Sequence, residues 1–229
     1  MIRKWTPQAL SAILRRMTLQ DALVWVDLEM TGLSMEKDKI IEVAVVLTDG
    51  QLKQIIPGPN LVIQQPKHLL DGMDAWCTKQ HGKSGLTAAV LASTTSTKQA
   101  ETAILDFVKQ HVPEPRTAVL AGNSVHVDRM FLLQEMPCLL DHLHYRIVGI
   151  ISISFSIYYI WNMVDVSSIK ELAKRWYPDI ANNLPPKPTS HRYVFSYRFI
   201  HFSSALDDIL SSIEELKYYR KTMFKQPNE

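Results

Sequence analysis

Apolar residues follow two periods along this chain, and each period predicts a different kind of element. Short runs rich in Val, Ile and Leu predict five strands, at about 23–29, 40–48, 60–65, 117–122 and 144–148. Apolar residues at helical spacing predict one helix over 97–111 and another over about 205–224. Strands and helices mixed along one chain indicate an α/β domain with a central mixed sheet flanked by helices.

One apolar stretch, 147–164, requires a separate test because it contains no charged residue. Its length just reaches the minimum for crossing a bilayer. Within it, residues 151–157 alternate Ile or Phe with Ser, a period of two that favours a strand over a membrane helix. We therefore expect no membrane association, and a true membrane span is the weaker alternative.

The composition is that of an ordinary folded domain. The 229 residues are 46% hydrophobic and 21% charged, which excludes disorder as the default state. Cys77 and Cys138 lie far apart without a C-x-x-C spacing, so neither a zinc ribbon nor a disulfide framework is indicated. This pattern fits a reducing compartment.

Residues 1–20 differ in charge from the rest of the chain. They contain four Lys or Arg residues, no Asp or Glu, and apolar residues at helical spacing. This pattern is typical of a mitochondrial presequence, and an ordinary N-terminal helix with a basic face explains it about as well. The sequence thus indicates a leader over 1–20, a single domain over 21–229, and a mitochondrial or cytoplasmic location, or both.

The charge balance limits the possible nucleic-acid substrates. The formal net charge of +2 becomes −2 when the four basic residues of 1–20 are left out. Proteins that track long nucleic acids usually have a basic stripe, because neutralising phosphates supplies most of their non-specific affinity. Any nucleic-acid substrate of this domain is therefore expected to be short.

The strongest chemical signal is a pair of carboxylates at the end of the first predicted strand. Asp27 and Glu29 are two residues apart, so a strand places them on the same face of the sheet. Two unit charges about 4 Å apart repel each other by roughly 4 kcal/mol at an effective dielectric constant near 20. A divalent metal ion is the simplest compensation, and the pair predicts such a site.

Three further residues complete a possible catalytic set, although each alone has a simpler explanation. Asp128 and Asp208 could be charges at the starts of helices, and His191 could be a surface histidine. Combined with Asp27 and Glu29, they provide the hard oxygen ligands and the base required for phosphoryl transfer with two bound metal ions. The set therefore predicts a metal-dependent phosphodiester hydrolase.

Several segments resemble oligoribonuclease, a DEDDh 3′-to-5′ exonuclease family that degrades very short RNAs, in its eukaryotic small-fragment nuclease form. The resemblance extends from about residue 23 to residue 224. The matching motifs are Val-Asp-Leu-Glu-Met-Thr-Gly-Leu at 26–33, Gly-Asn-Ser-Val-x-x-Asp-Arg at 122–129, His-Tyr-Arg at 144–146, Asp-Val-Ser-Ser-Ile-Lys-Glu-Leu at 165–172, Arg-Trp-Tyr-Pro at 175–178 and Ala-Leu-Asp-Asp-Ile at 205–209.

The resemblance implies a fold, an assembly and a catalytic set. It implies a ribonuclease H-like fold, a homodimer, and two Mg²⁺ or Mn²⁺ ions per active site. His191 would be the general base, and Tyr145 would reach the site across the dimer interface. The implied metal ligands are Asp27, Glu29, Asp128 and Asp208.

The resemblance also implies how short single-stranded RNA is held. Leu33 would be a wedge between two bases, and Trp76 would stack on a base with His81 as its partner, although the residue pattern alone favours a core position for Trp76. No protein partner other than a second copy is inferred. The residues implied around the terminal 5′ phosphate are Ser124, Arg146, Ser167 and Ser168.

Two segments have no counterpart in the family, 149–164 and 193–204. Together they contain nine of the chain's 20 aromatic residues. The second segment places His191 17 positions before Asp208, whereas the family pattern has five. The codons that these residues permit are compatible with translated introns, and a genuine insertion is the competing hypothesis. Sequencing the mature transcript distinguishes them.

The altered histidine spacing leaves a second functional reading open. If His191 cannot reach the metal site, the chain would be a pseudo-nuclease that binds short RNA without cutting it. A further alternative among enzymes is a proofreading or tRNA-trimming DEDDh exonuclease. The family motifs favour a 3′-to-5′ exoribonuclease that releases 5′-mononucleotides from very short RNAs.

Overall fold

The computed structural model describes residues 19–144, 163–185 and 204–224. These parts contain five strands, β1 Leu23–Met30, β2 Ile40–Thr48, β3 Ile55–Val62, β4 Val119–Gly122 and β5 Met163–Asp165. They also contain the helices α1 Lys67–Asp71, α2 Ala75–Ser84, α3 Leu86–Ala92, α4 Thr97–His111, α5 Val125–Glu135, α6 Pro137–His142, α7 Val166–Trp176, α8 Pro178–Asn182 and α9 Ser204–Met223.

The strands form one mixed sheet in the order β3-β2-β1-β4-β5. β2 runs antiparallel to β1 and β3, whereas β4 is parallel to β1 and β5 is parallel to β4. The predicted α/β architecture with a central mixed sheet is confirmed. β1 is the middle strand of the sheet. Its end, which carries Asp27 and Glu29, therefore has β2 on one side and lies towards β4 on the other.

The element predictions differ from the structure at two strands. β3 begins at Ile55 instead of about residue 60, because Pro57 and Pro59 obscure its strand pattern. Prolines are tolerated there since β3 is an edge strand. The strand predicted at 144–148 is not found at His144, and 145–148 lie outside the described residues. Strand β5 next to β4 is instead Met163–Asp165.

Helices cover both faces of the sheet. Alternate side chains of β1 point to opposite faces, so they pack into two different cores. Val24 and Val26 pack into the core beneath α4 and α5. Trp25 packs into the other core, with Ile209 and Ile213 of α9. Asp27 and Glu29 continue the row begun by Trp25, so they lie on the face that α9 covers.

Several sequence predictions fall on residues that the structure does not describe. The leader prediction concerns 1–20, of which only 19 and 20 are described. The apolar stretch 147–164 is described only for Met163 and Val164, which belong to β5. In the described parts of the chain, no helix has the length and apolar character needed to cross a membrane. Both cysteines are free thiols.

Candidate active site

Four of the predicted metal ligands come from three elements around the end of β1. Asp27 and Glu29 lie on β1, Asp128 lies in the first turn of α5, and Asp208 lies near the start of α9. The main-chain N–H of Leu28 donates a 2.9 Å hydrogen bond to Oδ1 of Asp128. This bond joins the start of α5 to β1 and places the third carboxylate beside the first two.

Burial and mutual repulsion shift the pKa values of two of these carboxylates. Burial, together with the nearby charges of Asp128, Asp208 and Glu29, raises the pKa of Asp27 to about 9. Burial also raises the pKa of Asp128 to about 7, with the hydrogen bond from Leu28 acting in the opposite direction. Carboxylates from three elements therefore share one weakly solvated region, where a bound cation would relieve their repulsion.

The donor set fits a hard divalent cation. All four side chains offer carboxylate oxygens, the ligands that Mg²⁺ and Mn²⁺ prefer. Within residues 19–144, 163–185 and 204–224, no group of three or more His, Cys, Asp or Glu side chains already has metal-binding geometry. Mg²⁺ is commonly bound through one or two carboxylates plus water and substrate oxygens, so full convergence is not required.

A fifth carboxylate, Glu42, was missed by the sequence reasoning. It lies on β2 directly opposite Glu29 in the antiparallel register, and only 1% of its surface is exposed. Its charge is a further contribution to the raised pKa of Asp27. The pairing register of the β1–β2 hairpin was the signal that could have revealed it, because Asp27, Glu29 and Glu42 are then neighbours on one sheet.

Helix α2 carries an exposed tryptophan and, about one turn and a half further on, a histidine that approaches the carboxylate of Glu29. The side chain of Asp74 accepts a 2.7 Å hydrogen bond from the N–H of Cys77 and caps the helix. Trp76, in the first turn, is 65% exposed, so the alternative that it is a core residue is wrong. An exposed indole on a capped helix is a suitable platform for stacking a base.

His81, on the same helix, is only 4% exposed and contacts the strand end. Its Nε2 lies 3.0 Å from the carbonyl oxygen of Met30, and its Nδ1 lies 4.0 Å from Oε2 of Glu29. His81 thus joins α2, and with it Trp76, to the end of β1. Both of these contacts are with residues of β1.

The connection between β1 and β2 presents Leu33, which is 73% exposed. Asp38 closes this loop by accepting hydrogen bonds from the hydroxyl of Thr31 and the N–H of Ser34, each 2.8 Å long. A Cβ atom at Gly32 would lie 2.4 Å from the carboxylate of Asp38, so the loop requires glycine there. The exposed Leu33 side chain therefore stands on a fixed support.

The residues predicted around the 5′ phosphate are only partly described. Ser124 lies between β4 and α5, and Ser167 and Ser168 lie in the first turn of α7. Asp165 links the Ser124 and Ser167 turns by hydrogen bonds. The remaining predicted site residues lie outside the described parts of the chain: Tyr145, Arg146 and His191.

Comparison with known proteins gives a family match and close relatives. The sequence model of the exonuclease family RNase_T matches residues 24–216. The mitochondrial oligoribonucleases of Mus musculus and Homo sapiens are each 47% identical to this chain, over 93% and 91% of it and 77% and 76% of their own lengths. An oligoribonuclease of Hydrogenovibrio crunogenus is 43% identical over 91% of this chain and 97% of its own.

Solved structures with the same fold are more distant in sequence. Exonuclease I from Methylocaldum szegediense has a TM-score of 0.56 at 15% identity, and the match covers 88% of this chain and 41% of that one. E. coli exonuclease I, in a structure with single-stranded DNA, gives 0.56 at 14% identity over 89% of this chain and 40% of that one. The ribonuclease H-like fold is thereby confirmed.

The family match spans most of the chain, and the relatives share more than two fifths of its residues along nearly its whole length. The carboxylates on β1, α5 and α9 lie within the matched region. This chain belongs to the RNase_T exonuclease family and, within that family, to the oligoribonucleases.

Proposed function

We propose that this protein is a metal-dependent 3′-to-5′ exoribonuclease that hydrolyses very short RNAs, from dinucleotides to about five residues, to 5′-mononucleotides. The observation that supports it best is the set of carboxylates from β1, α5 and α9, together with two exposed apolar side chains, Leu33 and Trp76. The carboxylates suit a metal-bound phosphodiester. The exposed apolar side chains suit unpaired bases.

The proposed cofactors are two Mg²⁺ or Mn²⁺ ions per active site. Bound there, such ions supply an activated water and stabilise the charge on the leaving 3′ oxygen. Asp27, Glu29, Asp128 and Asp208 would hold them, and the Leu28 N–H keeps Asp128 in position for this role. His191 is the proposed general base, which accepts the proton of the attacking water.

Base recognition is proposed to depend on shape and not on hydrogen-bond readout. Stacking on Trp76 contributes about 1–3 kcal/mol per base and accepts any base, because every base has a π face. Leu33 would separate neighbouring bases by van der Waals contact alone. Both features suit an enzyme that removes short RNAs of mixed sequence.

The family resemblance extends the proposal to assembly, and the names of the relatives extend it to location. We propose a homodimer in which Tyr145 of each copy contributes to the partner's site, and light scattering of the purified chain measures this directly. Relatives named as mitochondrial oligoribonucleases, together with the basic residues in 1–20, support a mitochondrial location, with a cytoplasmic pool as the second possibility. Fractionation of cells expressing a C-terminally tagged chain tests both.

The direct test is incubation of the purified full chain with an end-labelled dinucleotide and Mn²⁺ or Mg²⁺. We expect release of 5′-mononucleotides, abolished by a chelator. Binding of the dinucleotide without product would instead support the pseudo-nuclease, the alternative favoured by the 17-position spacing between His191 and Asp208.

A competition experiment tests the substrate class. Unlabelled dinucleotides should inhibit cleavage of a labelled dinucleotide far more strongly than unlabelled 20-nucleotide RNA or a tRNA with a trimmed 3′ end. Stronger inhibition by the long RNAs would favour a proofreading or tRNA-trimming exonuclease instead.

A further inference from the structure

Helix α9 carries a polar stripe that starts at a proposed metal ligand and continues into the interior. Asp208 is half-buried, and the three polar residues that follow it along the stripe are all buried. At 3.6 residues per turn the four side chains lie along one side of the helix, and Glu215 is within about 20° of Asp208 around the helix axis. The stripe consists of Asp208, Ser212, Glu215 and Tyr219.

The carboxylate of Glu215 joins this stripe to helix α7. Its Oε1 lies 3.0 Å from Nζ of Lys170 and accepts a 3.0 Å hydrogen bond from the hydroxyl of Tyr219. One turn after Asp208, the hydroxyl of Ser212 donates a 2.8 Å hydrogen bond to the carbonyl oxygen of Asp208. The contact between α9 and α7 therefore includes a buried ion pair on the same side of α9 as Asp208.

Apolar packing and the ion pair constrain α9 in different ways. Ile209 and Ile213 pack against the sheet in the core that contains Trp25. Such contacts are non-directional, so they hold a helix on a sheet more firmly than they fix its rotation about its own axis. A buried ion pair is directional and costly to break. Because Glu215 and Asp208 share one side of α9, a rotation that breaks the pair also turns Asp208 away from β1.

We infer that Glu215, held by Lys170, is a positioning residue for the metal site, which fixes the rotation of α9 and thereby directs Asp208 towards the carboxylates of β1. The inference rests on the proposed function, since it concerns the metal ions of the same site. Glu215 lies about 10 Å along the helix from Asp208, on its C-terminal side. Segment 193–204 precedes Asp208, so the pair fixes α9 from the opposite direction along the chain.

The test is a calorimetric titration of the full chain with Mn²⁺ in the absence of RNA. We expect Glu215→Ala to raise Kd for Mn²⁺ roughly tenfold, the usual scale for losing a residue that orients a metal ligand. Glu215→Gln keeps the acceptor oxygen and should stay within about threefold of the parent protein. Glu214→Ala is the matched control, because Glu214 also pairs with a lysine, Lys217, but is exposed on the same helix. It should leave Kd unchanged.

Lys170→Met separates positioning from a simple effect of charge. Removing a positive charge near the site would by itself strengthen Mn²⁺ binding, whereas removing the negative charge of Glu215 would weaken it. If the pair positions Asp208, Lys170→Met and Glu215→Ala should both raise Kd. Changes of opposite sign in these two variants would overturn the inference.

Two further variants separate positioning from a loss of stability. The hydroxyl of Tyr218 joins α9 to α8 by donating a 2.9 Å hydrogen bond to the carbonyl oxygen of Ile180, away from the polar stripe. Tyr218→Phe should lower the melting temperature without changing Kd. On an Asp208→Asn background, Glu215→Ala should raise Kd no further, and neither should Lys170→Met, which decides the question if Glu215→Ala does not fold. Full additivity with Asp208→Asn contradicts the inference.

These titrations contain no RNA, so their outcome is distinct from that of the proposed catalysis. If the variants bind Mn²⁺ more weakly as expected, the inference holds even if no hydrolysis is measured. If the parent protein hydrolyses dinucleotides while Glu215→Ala and Lys170→Met bind Mn²⁺ as tightly as the parent, the inference is wrong and the proposed function stands. A parent protein that binds no Mn²⁺ contradicts both.

Discussion

The two ends of the candidate substrate site are built in opposite ways. The base end uses exposed apolar side chains, Leu33 and Trp76, from one continuous stretch of chain around β1, β2 and α2. The phosphate end uses polar turns 41 residues apart, joined by Asp165. Between those turns lies the segment 149–164, which the family pattern lacks.

This difference indicates which end depends on the extra segments. The supports of the base end, Asp38 for Leu33 and His81 for α2, all lie between residues 30 and 81. The extra segments enter the chain only later. We therefore expect binding of bases to be insensitive to them, and recognition of the phosphate and catalysis to be sensitive.

The largest effect is expected from a substitution on β1, the strand that carries Asp27 and Glu29. Asp27→Asn should lower kcat by about 10³-fold because a charged ligand of the proposed metal ions is lost. Binding of a dinucleotide in chelator should persist, since Leu33 and Trp76 are unaffected. The melting temperature should not fall, because burial and the neighbouring carboxylates both disfavour the charged form of Asp27, which Asn replaces with a neutral side chain of the same shape. Asp49→Asn, at the other end of the β1–β2 pair, is the control.

Removal of the extra segments should have the next largest effect. Excising 193–204 together with 149–164 restores the five-position spacing and should raise kcat by about 10²-fold, the contribution of a well-placed general base. KM for a dinucleotide without a 5′ phosphate should not change. If the chain that retains both segments is equally active in steady-state assays, the spacing does not limit catalysis.

Trp76→Ala tests the base end alone. Loss of stacking should raise KM for all dinucleotides by about tenfold, with or without a 5′ phosphate, and leave kcat nearly constant. Trp76→Phe should recover most of the affinity. Leu91→Ala removes another exposed apolar side chain from the neighbouring helix α3 and should have no effect. A change confined to phosphorylated substrates would contradict the division into two ends.

The smallest effect is expected from the loop that supports Leu33. Asp38→Ala removes two hydrogen bonds within the loop and should raise KM about threefold, with a loss of stability of about 1 kcal/mol. Asp49→Ala is a matched control, because Asp49 likewise accepts two local hydrogen bonds, in its case from two main-chain N–H groups of the β2–β3 turn. Thermal melting should show similar losses for both variants, and only Asp38→Ala should alter KM.

The parts of this structure that could be predicted are those set by local periodicity. The period of two placed Asp27 and Glu29 on one face, and helical spacing gave α4 at its observed bounds. Asp38 and Asp165 could not be identified in this way. Asp38 accepts hydrogen bonds from Thr31 and Ser34 within its own loop, and Asp165 accepts one from the distant Ser124 turn, so neither role follows from periodicity.

The same limit explains the wrong start predicted for β3 and the omission of Glu42. β3 contains prolines that only its edge position tolerates, and edge position is a property of the assembled sheet. Glu42 becomes a member of the carboxylate cluster only through the register of β2 against β1. Periodicity alone could not join Asp128 and Asp208 to β1; the combined chemistry of a two-metal set suggested it, and the family motifs supported it.

The short strand β5 has a consequence for protein engineering. Next to β4 the sheet uses only Met163 and Val164 before Asp165, and the sequence offers a second apolar pair, Ile147 and Val148, sixteen positions earlier. Either pair can precede Asp165 after a sixteen-residue deletion, of 149–164 or of 147–162. We therefore expect an engineered chain with either deletion to keep an apolar pair beside β4, and with it this edge of the sheet.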